Sequence, residues 1–503
     1  MGNDRQRPDW KRALRSLETP GAEAASLAGV AASWLFRERF PALPSDDEAW
    51  RDIEERELVL PVSDTPEVSI LVPVYGKFAT TWACLDSLAR TAAGSTFEVI
   101  VANDCSPDRT LDMLSRVRGV RVVNNTTNLG FVRSNNHAAK EARGKWLCLL
   151  NNDTRVTSGW LGPLLRTFEA FPNAGLVGAK LLFPDGKLQE AGGIVFRDAV
   201  CTNYGRNRDP RRPEFCFTRP VDYCSAAAVV IPKALWDELG GFDDRYHPAY
   251  YEDTDLAFRV RKAGYDVLYQ PLSRVVHYEG VTHGRDAKKG LKRHQALNHR
   301  RFFDRWRDEL VEHHEERRRR TWRSADRRRG PGVLMLTDVE PARDTPEHDA
   351  ASSAAAAGFR VALWAAESAR SFDSGRAELQ FRGIEVMYAP YAGTLSSFVR
   401  GAGMARFGAA LLWNRPDSGK IARLLRKRAS KVKLVLALRE GEELDTSIEQ
   451  PDAVCVPSDR ERERFATRFP GVPAFILPTG NAAPAVQART EAWQALARMV
   501  DRP

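Results

Sequence analysis

Cysteine is scarce in this 503-residue sequence: there are seven, an odd number, and no CxxC spacing. That argues against a disulfide framework and against a zinc site. No apolar window approaches the roughly 20 residues that span a bilayer. The opening stretch MGNDRQRPDWKRAL carries no signal-peptide core. A cytoplasmic location, at most peripheral at the inner face of the cell membrane, is therefore the expectation. No fixed-period repeat is visible, which sets aside solenoids and propellers. A Gly-rich, Arg- and Lys-bearing triphosphate loop is missing after the first strand, which weighs against nucleotidyl transfer. The formal net charge of +9 is uneven in origin, because the block Arg317 to Arg329 supplies most of it. No base-reading or aromatic-interleaved motif accompanies that block, so nucleic acid is not an expected partner.

What the chain does contain is apolar runs that break abruptly into polar residues. Val68–Val74 runs into Tyr75-Gly76, Phe97–Ala102 into Asn103-Asp104, and Trp146–Leu150 into Asn151-Asn152-Asp153. Short continuous apolar runs are the mark of buried parallel strands. With helical stretches between them, they predict an α/β fold with a Rossmann-like parallel sheet and crossover helices. Ligands in such sheets bind outside the carboxyl ends of the strands, so three polar strand ends imply one shared pocket. A second alternation, beginning at Gly332 and ending near Gly480, predicts another, smaller Rossmann-like unit. The expected organisation is a helical extension over 1–62, a first domain over 63–300, a basic helical linker over 301–331, a second domain over 332–485 and a tail over 486–503.

Four groups of residues carry candidate chemistry. Asp104, at a strand end, suits a ribose hydroxyl or a pyrimidine ring N–H, and equally an Asx turn. Asn151-Asn152-Asp153 could hold a hard cation, Mg2+ or Mn2+, that bridges diphosphate oxygens with one or two protein carboxylates; a plain turn would use the same residues. Glu252-Asp253, at a helix start, offers a general base for an acceptor hydroxyl, although acids favour first turns in any case. His277 follows an apolar run and could complete the site begun by Asp153.

Taken together, VSILVPVYGK, VIVANDCSPD, NNTTNLGFVRSNN, GKWLCLLNNDT, LQEAGG, the long stretch from Cys224 to Tyr265 and VVHYEG resemble family 2 glycosyltransferases of the GT-A fold. The branch they resemble contains bacterial rhamnosyl- and galactofuranosyl-transferases, and the resemblance covers about Val68 to Gly284. It implies an inverting transfer from a nucleotide diphosphate sugar, UDP- or dTDP-linked, to a hydroxyl of a surface polysaccharide, glycan or lipid-linked glycan. Pro73, Tyr75 and Asp104 match nucleoside-binding positions. Asn128, Gly130 and Asn136 match the loop and helix beside the donor, with Arg133 available to the phosphates. Asn151-Asn152-Asp153 stands in the Asp-x-Asp place, with Asp153 on the metal and Asn151 replacing the first acid. Asp253 of the Glu252-Asp253 pair matches the base, and His277 matches a metal-binding histidine.

The stretch Gly332 to Gly480 resembles the N-terminal half of a GT-B glycosyltransferase. Without the donor-binding half, it is expected to serve acceptor docking, dimerisation or partner contact. A peripheral membrane contact through Arg317–Arg329 and a homo-oligomer are both compatible with the sequence. The alternative to an enzyme is a weakly catalytic scaffold that binds sugar nucleotide or glycan within a synthase complex.

Overall fold

In the computed structural model, the described residues are 39–91, 94–279, 293–315, 324–337, 342–343, 345–368, 374–389, 404, 406–413, 418–443, 448, 450–480 and 482–500. The helix expected over Ala22 to Phe40 and the arginines from 317 to 323 lie outside them, apart from residues 39 and 40. The chain divides into two compact units, one formed by residues 1–210 and 219–327, the other by 211–218 and 328–503.

The first unit opens on α1 (Asp46–Glu55), started by a capping box in which Ser45 and Glu48 satisfy each other's backbone N–H. Then follow β1 (Val68–Val74), α2 (Phe78–Ala89), β2 (Phe97–Asn103), β3 (Val120–Asn124), α3 (Gly130–Ala139) and β4 (Trp146–Leu150). Every residue of β2 and β4, and all of β1 except Pro73, is buried. Apolar side chains on both strand faces are covered, which is why the runs read as continuous. Ile70, Val72, Val99, Val101, Cys148 and Leu150 share one core with Trp82 and Leu85 of α2.

The chain continues through β5 (Thr154–Val156), α4 (Leu161–Ala170), β6 (Ala174–Leu182), β7 (Leu188–Glu190), β8 (Arg219–Pro220), β9 (Ala228–Pro232), α5 (Lys233–Glu238), α6 (Glu252–Lys262), β10 (Asp266–His277) and α7 (Arg293–Arg305). These strands join one ten-stranded sheet in the order β8-β10-β6-β9-β4-β1-β2-β3, with β5 on β10 and β7 on β6. The half from β4 to β3 is parallel, as expected. The other half is mixed, because β9 lies antiparallel between β4 and β6. An antiparallel strand buried on both faces carries the same unbroken apolar run as a parallel one, so direction was not readable from composition.

The second unit is a seven-stranded parallel sheet. Its strands are β11 (Gly332–Thr337), β12 (Arg360–Ser368), β13 (Glu385–Ala389), β14 (Ala409–Trp413), β15 (Lys433–Ala437), β16 (Ala453–Val456) and β17 (Ala474–Ile476). They are ordered β13-β12-β11-β14-β15-β16-β17. The stretch expected as a tail is mostly helix, α8 (Ala483–Val500), whose Ala492, Trp493 and Leu496 are buried in this unit's core. Part of the basic block is also spoken for: Arg327 pairs with Asp222 in the first unit, while Arg328 lies over the Phe217 ring in the second.

Candidate active site

At the carboxyl ends of β1, β2 and β4 the structure opens a cavity of about 360 Å3. Of the thirteen candidate residues, eleven line it: Pro73, Tyr75, Asp104, Asn128, Gly130, Asn151, Asn152, Asp153, Glu252, Asp253 and His277. Residues as distant in sequence as 73 and 277 meet there because strands that are far apart in the chain are neighbours in the sheet.

Asp104 follows β2 directly and is buried. Its Oδ1 accepts from Asn125 Nδ2 at 2.9 Å and from Leu129 N at 2.7 Å, and its Oδ2 accepts from Gly130 N at 2.8 Å. One carboxylate thus fixes the whole 125–130 loop, and Oδ2 retains one acceptor position. Gly130 needs its lack of a side chain: its φ is +71°, and a Cβ would lie 2.8 Å from Pro248 Cβ.

Asn151-Asn152-Asp153 forms the turn between β4 and β5. Asn152 donates to Thr81 Oγ1 at 3.0 Å, so its amide braces the turn on α2. The next residue, Thr154, pairs antiparallel with His277 at the end of β10. That register sets Asp153 Oδ1 3.1 Å from His277 Nε2. Burial lowers the His277 pKa, but the Asp153 charge and hydrogen bond outweigh it and leave the imidazole raised. Asn151 Oδ1 is buried without a hydrogen-bond partner. A carboxylate, an imidazole nitrogen and an unpaired amide oxygen are acceptable donors for Mg2+ or Mn2+, which fill their remaining positions with water and phosphate. No group of three or more His, Cys, Asp or Glu arranged for a metal occurs among the described residues. The donor set therefore fits a cation shared with a ligand better than a closed protein cage.

Glu252 and Asp253 open α6 after two consecutive tyrosines at positive φ, Tyr250 at 77° and Tyr251 at 71°. Such strain in bulky residues persists only where surrounding structure enforces it; here Tyr251 Oη donates to Ala199 O at 3.1 Å. Asp253 Oδ1 accepts from Thr254 N at 2.7 Å, and Oδ2 faces Ala226 N at 3.3 Å. Burial raises the Asp253 pKa, and the hydrogen bonds from Ala226 and Thr254 only partly offset it. Glu252 is pushed further up by burial and then by the Asp253 charge, and its Oε2 has no partner. Burial thus disfavours charge on both carboxylates of this adjacent pair, most strongly on Glu252.

Two expected donor-side residues are not in the cavity. Arg133 forms a two-pronged pair with Asp244, and Asn136 bonds the backbone of Phe242 through both amide atoms, at 2.8 and 2.9 Å. On α3 the cavity-facing residues are Gly130, Phe131 and Ser134. At 3.6 residues per turn, Arg133 and Asn136 lie about 100° and 160° round the helix from Ser134. They stitch α3 to the segment leading into Glu252 instead.

Sequence reading also passed over several residues. Gln189, Asn203, Tyr250 and Glu279 line the cavity. Behind it, Glu190 accepts from Ser225 N at 3.0 Å, and burial pushes its carboxyl up to about 7. The sequence signal for Gln189 and Glu190 is the LQEAGG stretch.

Residues 69–235, which lie in the first unit apart from 211–218, match the model for Glycosyl transferase family 2. Among curated proteins, the O-antigen biosynthesis protein RfbC of Myxococcus xanthus is 31% identical over 45% of this chain and 18% of its own length. An uncharacterized protein, y4gI, of Sinorhizobium fredii is 30% identical over 45% of this chain and 26% of its own. The chain thus spans about a quarter or less of these two relatives. The N-acetylglucosaminyl-diphospho-decaprenol L-rhamnosyltransferase of Mycobacterium tuberculosis is 27% identical over 41% of this chain and 75% of its own length. A solved structure, GalNAc-T7 with UDP, GalNAc and Mn2+, overlaps 61% of this chain and 58% of its own with a TM-score of 0.40 and 15% identity. That likeness is too distant to speak to the site. No helix among the described residues is long and apolar enough to cross a membrane.

Proposed function

We propose that this chain is an inverting glycosyltransferase that moves a sugar from a nucleoside diphosphate sugar, UDP- or dTDP-linked, to a hydroxyl of a surface polysaccharide or glycolipid. The observation that carries the reading is that Asp104, the Asp153–His277 pair and the Glu252-Asp253 pair all face one cavity. Asp104 and its loop hold the nucleoside, with Tyr75, 47% exposed, at the mouth. Asp153 and His277 would hold Mg2+ or Mn2+, with Asn151, which lines the same cavity, beside them. The cation, when bound, supplies positive charge to the departing diphosphate.

Asp253 takes the acceptor proton at Oδ2 as the hydroxyl oxygen forms its bond to the anomeric carbon and the bond to the diphosphate oxygen breaks. Its raised pKa makes it a stronger base than an exposed aspartate. One base and direct displacement give inversion. The second unit we assign to acceptor docking, dimerisation or partner contact.

Asn151 standing where an acid would strengthen cation binding favours a second reading, a scaffold that binds sugar nucleotide without turnover. Hydrolysis of UDP- and dTDP-sugars with Mn2+, in the parent and in Asp253→Asn, separates the two. Turnover that falls in the variant supports the enzyme; no turnover with any donor or acceptor supports the scaffold.

A further inference from the structure

A chain of polar side chains runs from the rim of the site to His277. Gln189, on the three-residue strand β7, is 1% exposed. Its Oε1 lies 3.0 Å from His277 Nδ1, and its Nε2 donates to Glu279 Oε2 at 3.0 Å. Glu279 in turn accepts from Arg206 at 2.6 Å. On the far side of the ring, Nε2 faces Asp153 Oδ1 at 3.1 Å.

The order of donors along this chain is fixed by chemistry. Arg206 only donates, and an ionised Glu279 only accepts. The end of Gln189 that meets Glu279 must therefore be its NH2 group. Its carbonyl oxygen is left facing His277 Nδ1, and a carbonyl can only accept, so Nδ1 must carry a hydrogen. The ring is held by that bond with Nε2 turned to the site, as the partners of metal-bound histidines commonly hold them.

We propose that Gln189, oriented by the Arg206–Glu279 pair, is a positioning residue that fixes His277 with Nδ1 protonated and Nε2 presented beside Asp153, and thereby sets the affinity of the site for a divalent cation. The proposal rests on the assignment of Asp153 and His277 as the cation's protein ligands. It gives the ion pair at the rim a role: removing either charge frees the amide to flip, and a flipped amide turns NH2 toward Nδ1.

The test is titration of the full-length protein with Mn2+ alone by calorimetry, in the parent, Gln189→Leu, Glu279→Gln, Gln189→Glu combined with Glu279→Gln, and Asp153→Asn. Loss of an outer hydrogen-bond partner typically weakens a metal site by about 10- to 100-fold. Gln189→Leu is expected to fall in that range. Gln189→Glu keeps an acceptor for Nδ1 but sets a second carboxylate against Glu279, so Gln189→Glu combined with Glu279→Gln, which restores a donor there, should stay within about threefold of the parent, and Glu279→Gln alone should fall between this pair and Gln189→Leu. Long-range nitrogen–proton NMR of the metal-free parent, with the His277 signal assigned by its loss in His277→Ala, should show a protonated Nδ1. That spectrum needs no Gln189 variant to fold. An unprotonated Nδ1, or Gln189→Leu binding Mn2+ as the parent does while Asp153→Asn loses it, overturns the proposal and leaves the ligand assignment standing. Parent-like binding in Asp153→Asn, or no binding in the parent, removes the assignment and the proposal with it.

Discussion

Glu98 offers a perturbation whose size can be worked from the structure. It sits at the start of β2, 4% exposed, at the opposite end of the strands from the cavity. It accepts from Ser69 Oγ at 2.7 Å, Arg121 at 2.8 Å, and the backbone and side chain of Arg143 at 2.9 and 3.0 Å. Burial alone would raise its pKa, but the bonds from Ser69, Arg121 and Arg143 outweigh it and hold the carboxyl at about 2, against an ordinary 4.5. That depression corresponds to about 3 kcal/mol at about 1.4 kcal/mol per pH unit. Arg121 and Arg143 are 39% and 47% exposed, and solvent screening reduces the figure to about 2 kcal/mol.

Because the folded pKa lies below the unfolded one, this stability is fully present above pH 4.5 and is lost as pH falls toward 2. Glu98→Gln should therefore destabilise the first unit by about 2 kcal/mol at pH 7, with a gap that narrows below pH 4.5. Hydrogen exchange read by mass spectrometry on peptides from β1, β2 and β4 isolates this unit from the second. Activity well below the unfolding transition should be unchanged. A gap that stays constant from pH 7 to pH 3.5, or no gap at pH 7, refutes the reasoning.

Further outcomes follow from other residues. Asn136→Ala leaves the Phe242 N–H and C=O without their partner and should cost about 1–3 kcal/mol; thermal melts should show it while the donor KM moves little, and an unchanged melt with a tenfold higher KM would return Asn136 to the donor site. Gly130→Ala must place a Cβ against Pro248 at positive φ, costing about 1–3 kcal/mol, and donor binding by calorimetry should weaken, since Gly130 N is bound to Asp104; parent-like affinity would contradict this. Trp493→Ala removes a 1% exposed ring whose Nε1 donates to Ser353, and should cost the second unit about 3–5 kcal/mol. Protease digestion that leaves 332–500 as resistant as in the parent would count against a folded role for the C-terminal helix.

The parallel half of the first sheet could be read from the chain because β1, β2 and β4 are unbroken apolar runs that end in polar residues, and the end of such a run is where a parallel sheet presents its ligand groups. Asp104 and Asp153 stand out in the same way, whereas Asp253 stands at a helix start, where acids are common in any case. Direction was hidden in β9, since burial on both faces erases the alternation that marks an antiparallel strand. Arg133 and Asn136 do not line the cavity, because neighbours in sequence on α3 point to different partners, and only Phe242 and Asp244, about a hundred residues on, decide which. Gln189 belongs to a strand of three residues, too short to carry a period. The last helix begins Ala483-Pro484, and its alanine-rich sequence gives only a weak apolar stripe, so its burial depends on a groove formed by the rest of the second unit.

The account stands or falls on whether one pocket binds donor and removes the acceptor proton through Asp253. The direct measurement is turnover of a panel of UDP- and dTDP-sugars with Mn2+, set beside donor affinity, in the parent, Asp253→Asn and Asp153→Asn. Asp253→Asn should lower kcat by about 10²- to 10⁴-fold, the usual worth of a general base, with donor affinity nearly intact, while Asp153→Asn should lose donor affinity in Mn2+. Equal turnover in the parent and Asp253→Asn would contradict it.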